Sequence, residues 1–206
     1  KVGVNIPESM AYPDNAPKDV YENIFYYENK NTGEVKEFTE ENYPWQDTLN
    51  WKFESMESNL VQEGYKPPIH DFTIVTPDGE DVAEFFTLDE NYVFMLVAHD
   101  LEKSCTREQE KINRLADWAM ENGMSFICLT SSLPDQSAQF AQEHNAPYEF
   151  FNTDEITLKT MIRSNPGLLV LKEGNIIAKY HYNDIPSPEE FEEEIEETEE
   201  EGEKGE

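Results

Sequence analysis

The sequence predicts an α/β domain over residues 68–186, a mixed central sheet flanked by helices, and three observations carry that expectation. Tyr92-Val93-Phe94-Met95-Leu96-Val97-Ala98 is a continuous apolar run of the kind a sheet buries on both faces. A helical pattern and a second apolar strand follow it, which makes a parallel crossover the economical topology. Two further apolar runs, Gly167 to Leu171 and Ile176 to Tyr182, are joined at Lys172-Glu173-Gly174-Asn175 and read as an antiparallel hairpin.

Taken in order, residues 1–67 predict a β-rich appendage. Tyr21 to Tyr27 and Glu34 to Phe38 flank Asn31-Thr32-Gly33, so strand, turn and strand is the natural reading. Trp45, Trp51 and Phe53 follow among polar residues. They are too few for an independent core, and the region is expected to pack on what comes next. Asp71-Phe72-Thr73-Ile74-Val75 then reads as a short strand closed by the turn Pro77-Asp78-Gly79. Residues 104–122 place Ile112, Leu115, Ala116 and Ala119 on one face, an amphipathic helix stopped by Gly123. Ser125 to Thr130 repeats the strand, Pro134 to His144 the helix, and Tyr148 to Phe151 a further short strand. Asp154 caps a helix expected to end near Ser164, with Leu158, Met161 and Ile162 inward. Ser187-Pro188-Glu189-Glu190 opens a last helix anchored by Phe191 and Ile195. Residues 187–206 form this acidic helix for about two turns and then a solvated tail, since like charges at i,i+4 oppose helix.

The 206 residues carry a formal charge of −30, and more than a third of it is local: the segment from Glu189 on holds twelve Glu against one Lys. Such a field repels phosphate backbones, so nucleic acid is excluded as a partner class. With 12 Phe and 10 Tyr the chain still has the means for a core. No run reaches the roughly 18 apolar residues of a membrane span. The chain opens abruptly at Lys1-Val2-Gly3-Val4, as an excised part of a longer protein does, so membrane segments are expected upstream. Cys105 and Cys128 match neither a zinc site nor a CxxC pair, and His70, His99, His144 and His181 lack ligand spacing. No metal and no cofactor is called for.

The element order, with Ser164-Asn165-Pro166-Gly167-Leu168-Leu169-Val170 near the end, resembles the thioredoxin superfamily. The resemblance implies a cis bond at Asn165-Pro166, against a base rate of about 5% cis for X–Pro, and places it beside the start of the residue 104 helix. More narrowly, the chain resembles the C-terminal region of bacterial DoxX-family membrane proteins. Three stretches carry this: Gly3-Val4-Asn5-Ile6-Pro7, Gly64-Tyr65-Lys66-Pro67-Pro68-Ile69-His70-Asp71-Phe72, and Asp154-Glu155-Ile156-Thr157-Leu158-Lys159-Thr160-Met161-Ile162-Arg163-Ser164-Asn165-Pro166-Gly167. That resemblance implies attachment at Lys1 to the protein's own upstream membrane helices and a periplasmic position at the bacterial inner membrane. Residues 1–67 would then link the membrane region to the domain.

The chemistry turns on one loop. Where thioredoxins carry two cysteines at the start of a helix, this chain reads His99-Asp100-Leu101-Glu102-Lys103-Ser104-Cys105. If Cys105 takes the second cysteine's place, Glu102 stands where the nucleophile should be, and dithiol exchange lacks its attacking thiolate. Restoring it with Glu102→Cys is expected to give a loop that closes. The leading expectation is therefore an accessory domain that binds an unidentified protein or peptide, or regulates its own membrane bundle. Its groove would be formed by Asn165, Pro166, His99, Asp100 and Glu102. The alternative is a one-cysteine thiol oxidoreductase or peroxidase, with Cys105 at a helix start beside Lys103, Arg107 and His99. Asp100, Glu102 and Glu108 oppose that chemistry. Cys128, inside an apolar strand, reads as a small core residue.

Overall fold

A computed structural model describes residues 1–203, with side-chain surroundings through Glu196, and the chain divides into two compact units. Tyr12–Pro67 forms the smaller one. It is an antiparallel sheet in the order β2-β1-β3, with β1 at Val20–Asn29, β2 at Val35–Phe38 and β3 at Trp51–Gln62. The register sets Phe25 opposite Phe38 and Met56, Tyr27 opposite Phe53, and Tyr21 opposite Leu60, so these side chains share one face. Phe25 and Tyr43 stack there with centroids 4.3 Å apart. Strand β3 escaped the sequence reading for a local reason. Its apolar residues change phase between Phe53 and Met56, which breaks the two-residue alternation. A register shift absorbs the change: Tyr26 faces Ser55 and Tyr27 faces Phe53, with Glu54 unpaired between them.

The larger unit combines Lys1–Ala11 with the chain from Pro68 onward. The first eleven residues therefore part from the appendage in which the sequence placed them. They run along β8 (Asn175–His181), where the Gly3 N–H donates to the Ile176 carbonyl at 2.7 Å and the Ile176 N–H to that of Val4 at 2.9 Å. Helix α1 (Ile6–Met10) follows, capped by the Asn5 side chain, and Ile6 is buried.

Five strands make the central sheet in the order β6-β5-β4-β7-β8: β4 Tyr92–Val97, β5 Ser125–Thr130, β6 Glu149–Asn152, β7 Gly167–Lys172 and β8. β4, β5 and β6 run parallel, while β7 is antiparallel to both β4 and β8. Helices α3 (Gln109–Glu121) and α6 (Pro188–Glu203) cover one face, against Phe94, Leu96, Leu168 and Val170. α1, α2 (Ala83–Thr87) and α5 (Glu155–Met161) lie on the other, with Val93, Met95, Leu169 and Leu171. Helix α4 (Pro134–His144) joins β5 to β6. Each fully buried Val, Leu, Phe or Met contributes about 1.5–3 kcal/mol, so this two-faced run is the main stabilising feature. The fold is thioredoxin-like.

Four expectations change at this resolution of detail. Residues 71–75 form no strand; only Val75 pairs, exchanging backbone hydrogen bonds with Asn152, while the Asp81 carboxylate takes the Ile74 N–H. The helix expected from residue 104 starts at Gln109. α5 stops at Met161 rather than near Ser164. α6 does not fray after two turns but runs through Glu203, because Glu is a good helix former and the Ser187–Glu190 capping box starts it firmly. The solvated tail expected beyond it reduces to residues 204–206, which lie outside the described residues.

Candidate functional site

The candidate residues meet at the C-terminal end of β4, where the sheet order sets the chain after β4 between those after β5 and before β7. The Asn165–Pro166 bond is cis, and Pro166 is buried. Asn165 ties this turn to the β4 loop: its amide Nδ2 donates to the Asp100 carbonyl at 2.7 Å, and its own carbonyl accepts the Cys105 N–H at 2.9 Å. Gly167 sits where no side chain fits. A Cβ there would approach Ile162 Cδ1 and Ser164 Oγ to 2.4 Å.

The β4 loop is held from three more directions. Asp100 caps a single 3₁₀ turn, Leu101–Lys103, by accepting the Lys103 N–H, and its carboxylate pairs with the Lys103 ammonium. That ammonium holds the Asp100 carboxyl below the usual carboxylate range, and Asp100 in turn raises Lys103. From the β5–α4 loop, Ser132 Oγ accepts the Leu101 N–H at 3.0 Å and the Ser131 hydroxyl donates to the His99 carbonyl. Gln136 of α4 donates to the exposed Glu102 carboxylate at 2.8 Å. Sequence reading missed Ser131, Ser132 and Gln136. Their partners lie some thirty residues away, and nothing in local spacing signals a bond of that range.

His99, Asp100, Glu102, Cys105, Asn165 and Pro166 are thus brought into one constellation. What changes is the character of Cys105. It is half-buried and free, but it precedes α3 by a turn instead of opening it, and Ser104 before it is extended (φ −67°, ψ 136°). Cys105 therefore does not lie on the first turn of α3. Cys128 lies fully buried in β5, and burial pushes its thiol far up, which leaves it inert.

Two buried polar atoms at this end of the sheet lack a hydrogen-bond partner among the described residues, His99 Nδ1 and Ser164 Oγ. Burial, then the charge of Lys159, lowers the His99 pKa, with Asp100 and Glu155 acting the other way. The folded state therefore binds its proton less readily than the unfolded chain, whose histidine titrates near about 6.5. The stability that neutral His99 contributes is present above that pH and is lost as pH falls through the lower folded value. Since many carboxylates also titrate on the acid side, the measurement is a difference. Urea midpoints of the parent and His99→Gln, followed from pH 8 to 5, should converge or cross in favour of the variant below pH 6.5. A constant gap would show that His99 does not titrate differently on folding.

The family described as "Domain of unknown function (DUF8463)" matches residues 21–63, the span of the three-stranded sheet. No curated protein matches the sequence. Among solved structures, a thioredoxin-like protein from Aeropyrum pernix is 16% identical with a TM-score of 0.48, covering 62% of this chain and 89% of that one. The thioredoxin domain of a thiol-disulfide oxidoreductase from Bacteroides vulgatus is 14% identical, TM-score 0.46, covering 61% and 91%. A thiol:disulfide interchange protein from Bacteroides sp. is 15% identical, TM-score 0.43, covering 52% and 75%.

Proposed function

We propose that the larger unit is a non-catalytic thioredoxin-like accessory domain that binds an extended protein segment beside Pro166, as part of a DoxX-type membrane protein. The observation that supports it most is the β4 loop itself. On the resemblance to thioredoxins Glu102 would stand in the nucleophile's place, while Cys105 lies outside the helix and Cys128 is sealed in the core. A dithiol cycle needs two thiols that reach each other, and the loop offers one. What the loop retains is a backbone platform fixed by Asn165, Asp100 and Ser132. A platform rigid before binding loses little entropy on binding.

The membrane assignment rests on the three resembling stretches named above. Attachment ahead of Lys1 and a periplasmic position at the bacterial inner membrane come with it. Among the described residues no helix is long and apolar enough to cross a bilayer, so the anchor in this proposal lies outside them.

Reduced, carboxymethylated lactalbumin serves as an extended-chain probe. Its addition should shift the backbone amide resonances of residues 99–105 and 164–167 in a saturable way. Shifts confined to other surfaces would overturn the binding reading. In parallel, iodoacetamide should alkylate Cys105 at pH 6 no faster than free cysteine. Faster alkylation, with consumption of hydrogen peroxide, supports the one-cysteine alternative instead.

A further inference from the structure

On the face of the sheet opposite α3, a half-open groove of about 440 Å³ runs between the first residues of the chain, the segment at Ile69 and α5. Its floor is apolar: Ile6, Phe72 and Ile176 are each at least nine-tenths buried and belong to the core on that side. Its wall includes Met161 and Ile156, and Ile156 is 76% exposed on the first turn of α5. An isoleucine displayed beside an apolar floor leaves apolar surface in water that an occupant would cover.

The rim carries the second observation. This chain has 45 Asp and Glu against 15 Lys and Arg, and among the described residues six lysines stand at ion-pair distance from a carboxylate, while Lys18 and Lys30 do not. Lys103, Lys111 and Lys159 are among the six, with Asp100, Glu190 and Glu155. The two lysines that line the groove, Lys1 and Lys179, have no carboxylate at ion-pair distance among the described residues. Lys179 is instead aimed at the groove wall, donating to the Met161 carbonyl at 2.8 Å. The one carboxylate in the groove lining, Asp71, is turned toward His70, its Oδ2 2.9 Å from Nε2. Two cations without counterions thus stand over an apolar slot in a strongly acidic protein.

We infer that this groove binds a single-chain fatty carboxylate, its tail on Ile6, Phe72 and Ile176 and its head between Lys1 and Lys179. An extended peptide fits less well. The backbone groups of Ile176, which a peptide strand would use, are taken by Gly3 and Val4. The remaining recognition elements are apolar contact and two point charges, which is what an anionic amphiphile requires. The volume lies in the usual range for small-molecule sites, roughly 300–1,000 Å³.

The test uses the 206-residue chain with labelled Ile and Met methyl groups and decanoate below its micellar range. Decanoate should shift the Ile156 and Met161 methyls saturably. Octanoate should bind about tenfold more weakly, as expected for two fewer buried methylenes. Decanol should also be about tenfold weaker than decanoate, and decyltrimethylammonium should not bind. Lys1→Gln with Lys179→Gln should weaken decanoate about tenfold while leaving decanol unchanged, and Ile156→Asp, at an exposed position, should weaken both. Equal affinity for decanol and decanoate would overturn the inference. So would association with phosphatidylglycerol vesicles in the absence of any decanoate binding, since a bilayer surface would then be the partner of these lysines.

Discussion

Phe191→Ala should cost about 3–5 kcal/mol of stability, a large share of what a domain of this size possesses. The reason is that α6 is a helix of glutamates attached by very little. Phe191 is only 2% exposed and packs against Phe94 (centroids 4.9 Å), Tyr92 (6.0 Å) and Trp118 (6.0 Å). Ile195 adds a partly buried contact, and Trp118 Nε1 donates to Glu192 at 3.2 Å. Without the ring, the helix keeps surface pairs such as Lys111–Glu190, worth at most about 1 kcal/mol, against mutual repulsion of its carboxylates. The face of β4 that Phe94 occupies would then open to water. Urea unfolding followed by Trp fluorescence measures the loss. Glu193→Gln, at an exposed position, is the control and should move stability by no more than about 0.5 kcal/mol. A loss under 1 kcal/mol for Phe191→Ala would mean that α6 is an ornament on a core complete without it.

The same helix shows where sequence reading succeeds and where it stops. Ser187, Pro188, Phe191 and Ile195 were legible because capping and anchoring are local. The length of α6 was not, because intrinsic propensity and charge repulsion oppose each other and the sequence shows both. Strands β4, β5, β7 and β8 were legible as apolar runs whose burial on two faces leaves little freedom of register. The start of α3 was not. Ser104 reads as an N-cap, yet its N–H closes the preceding turn on the Leu101 carbonyl, and the next N–H, that of Cys105, goes to Asn165. The second bond spans sixty residues. It exists because the sheet places the β4 and β7 ends side by side, and no local pattern could announce it. In the candidate site, the sequence singled out residues that the fold brings together, but not the bonds that hold them there. Asn165 was singled out as the neighbour of a proline, whereas the structure uses its side-chain amide to fix the Asp100 backbone.

That displaced helix start alters what should happen when the missing thiol is restored. The parent protein is expected to show no catalysis of insulin disulfide reduction by dithiothreitol, since Cys105 has no partner. On sequence alone, Glu102→Cys should then create a CxxC loop that closes. The structure predicts that it stays inactive. A working pair requires both sulfurs on the first turn of one helix, with Cα atoms under about 7 Å apart and the helix N-terminus stabilising the attacking thiolate. Here residue 102 lies in the 3₁₀ turn and points to Gln136 of α4, Ser104 is extended, and Cys105 is pinned to Asn165 a full turn before Gln109. Forming the bridge means breaking the Cys105–Asn165 bond and rewinding residues 104–108 into helix. Glutathione oxidation followed by intact mass and peptide mapping reads the 102–105 disulfide directly, and insulin turbidity reads turnover. A variant that forms the disulfide and reduces insulin would show that the loop rewinds at small cost. The domain would then be a thioredoxin site one residue away from activity, not one committed to another use.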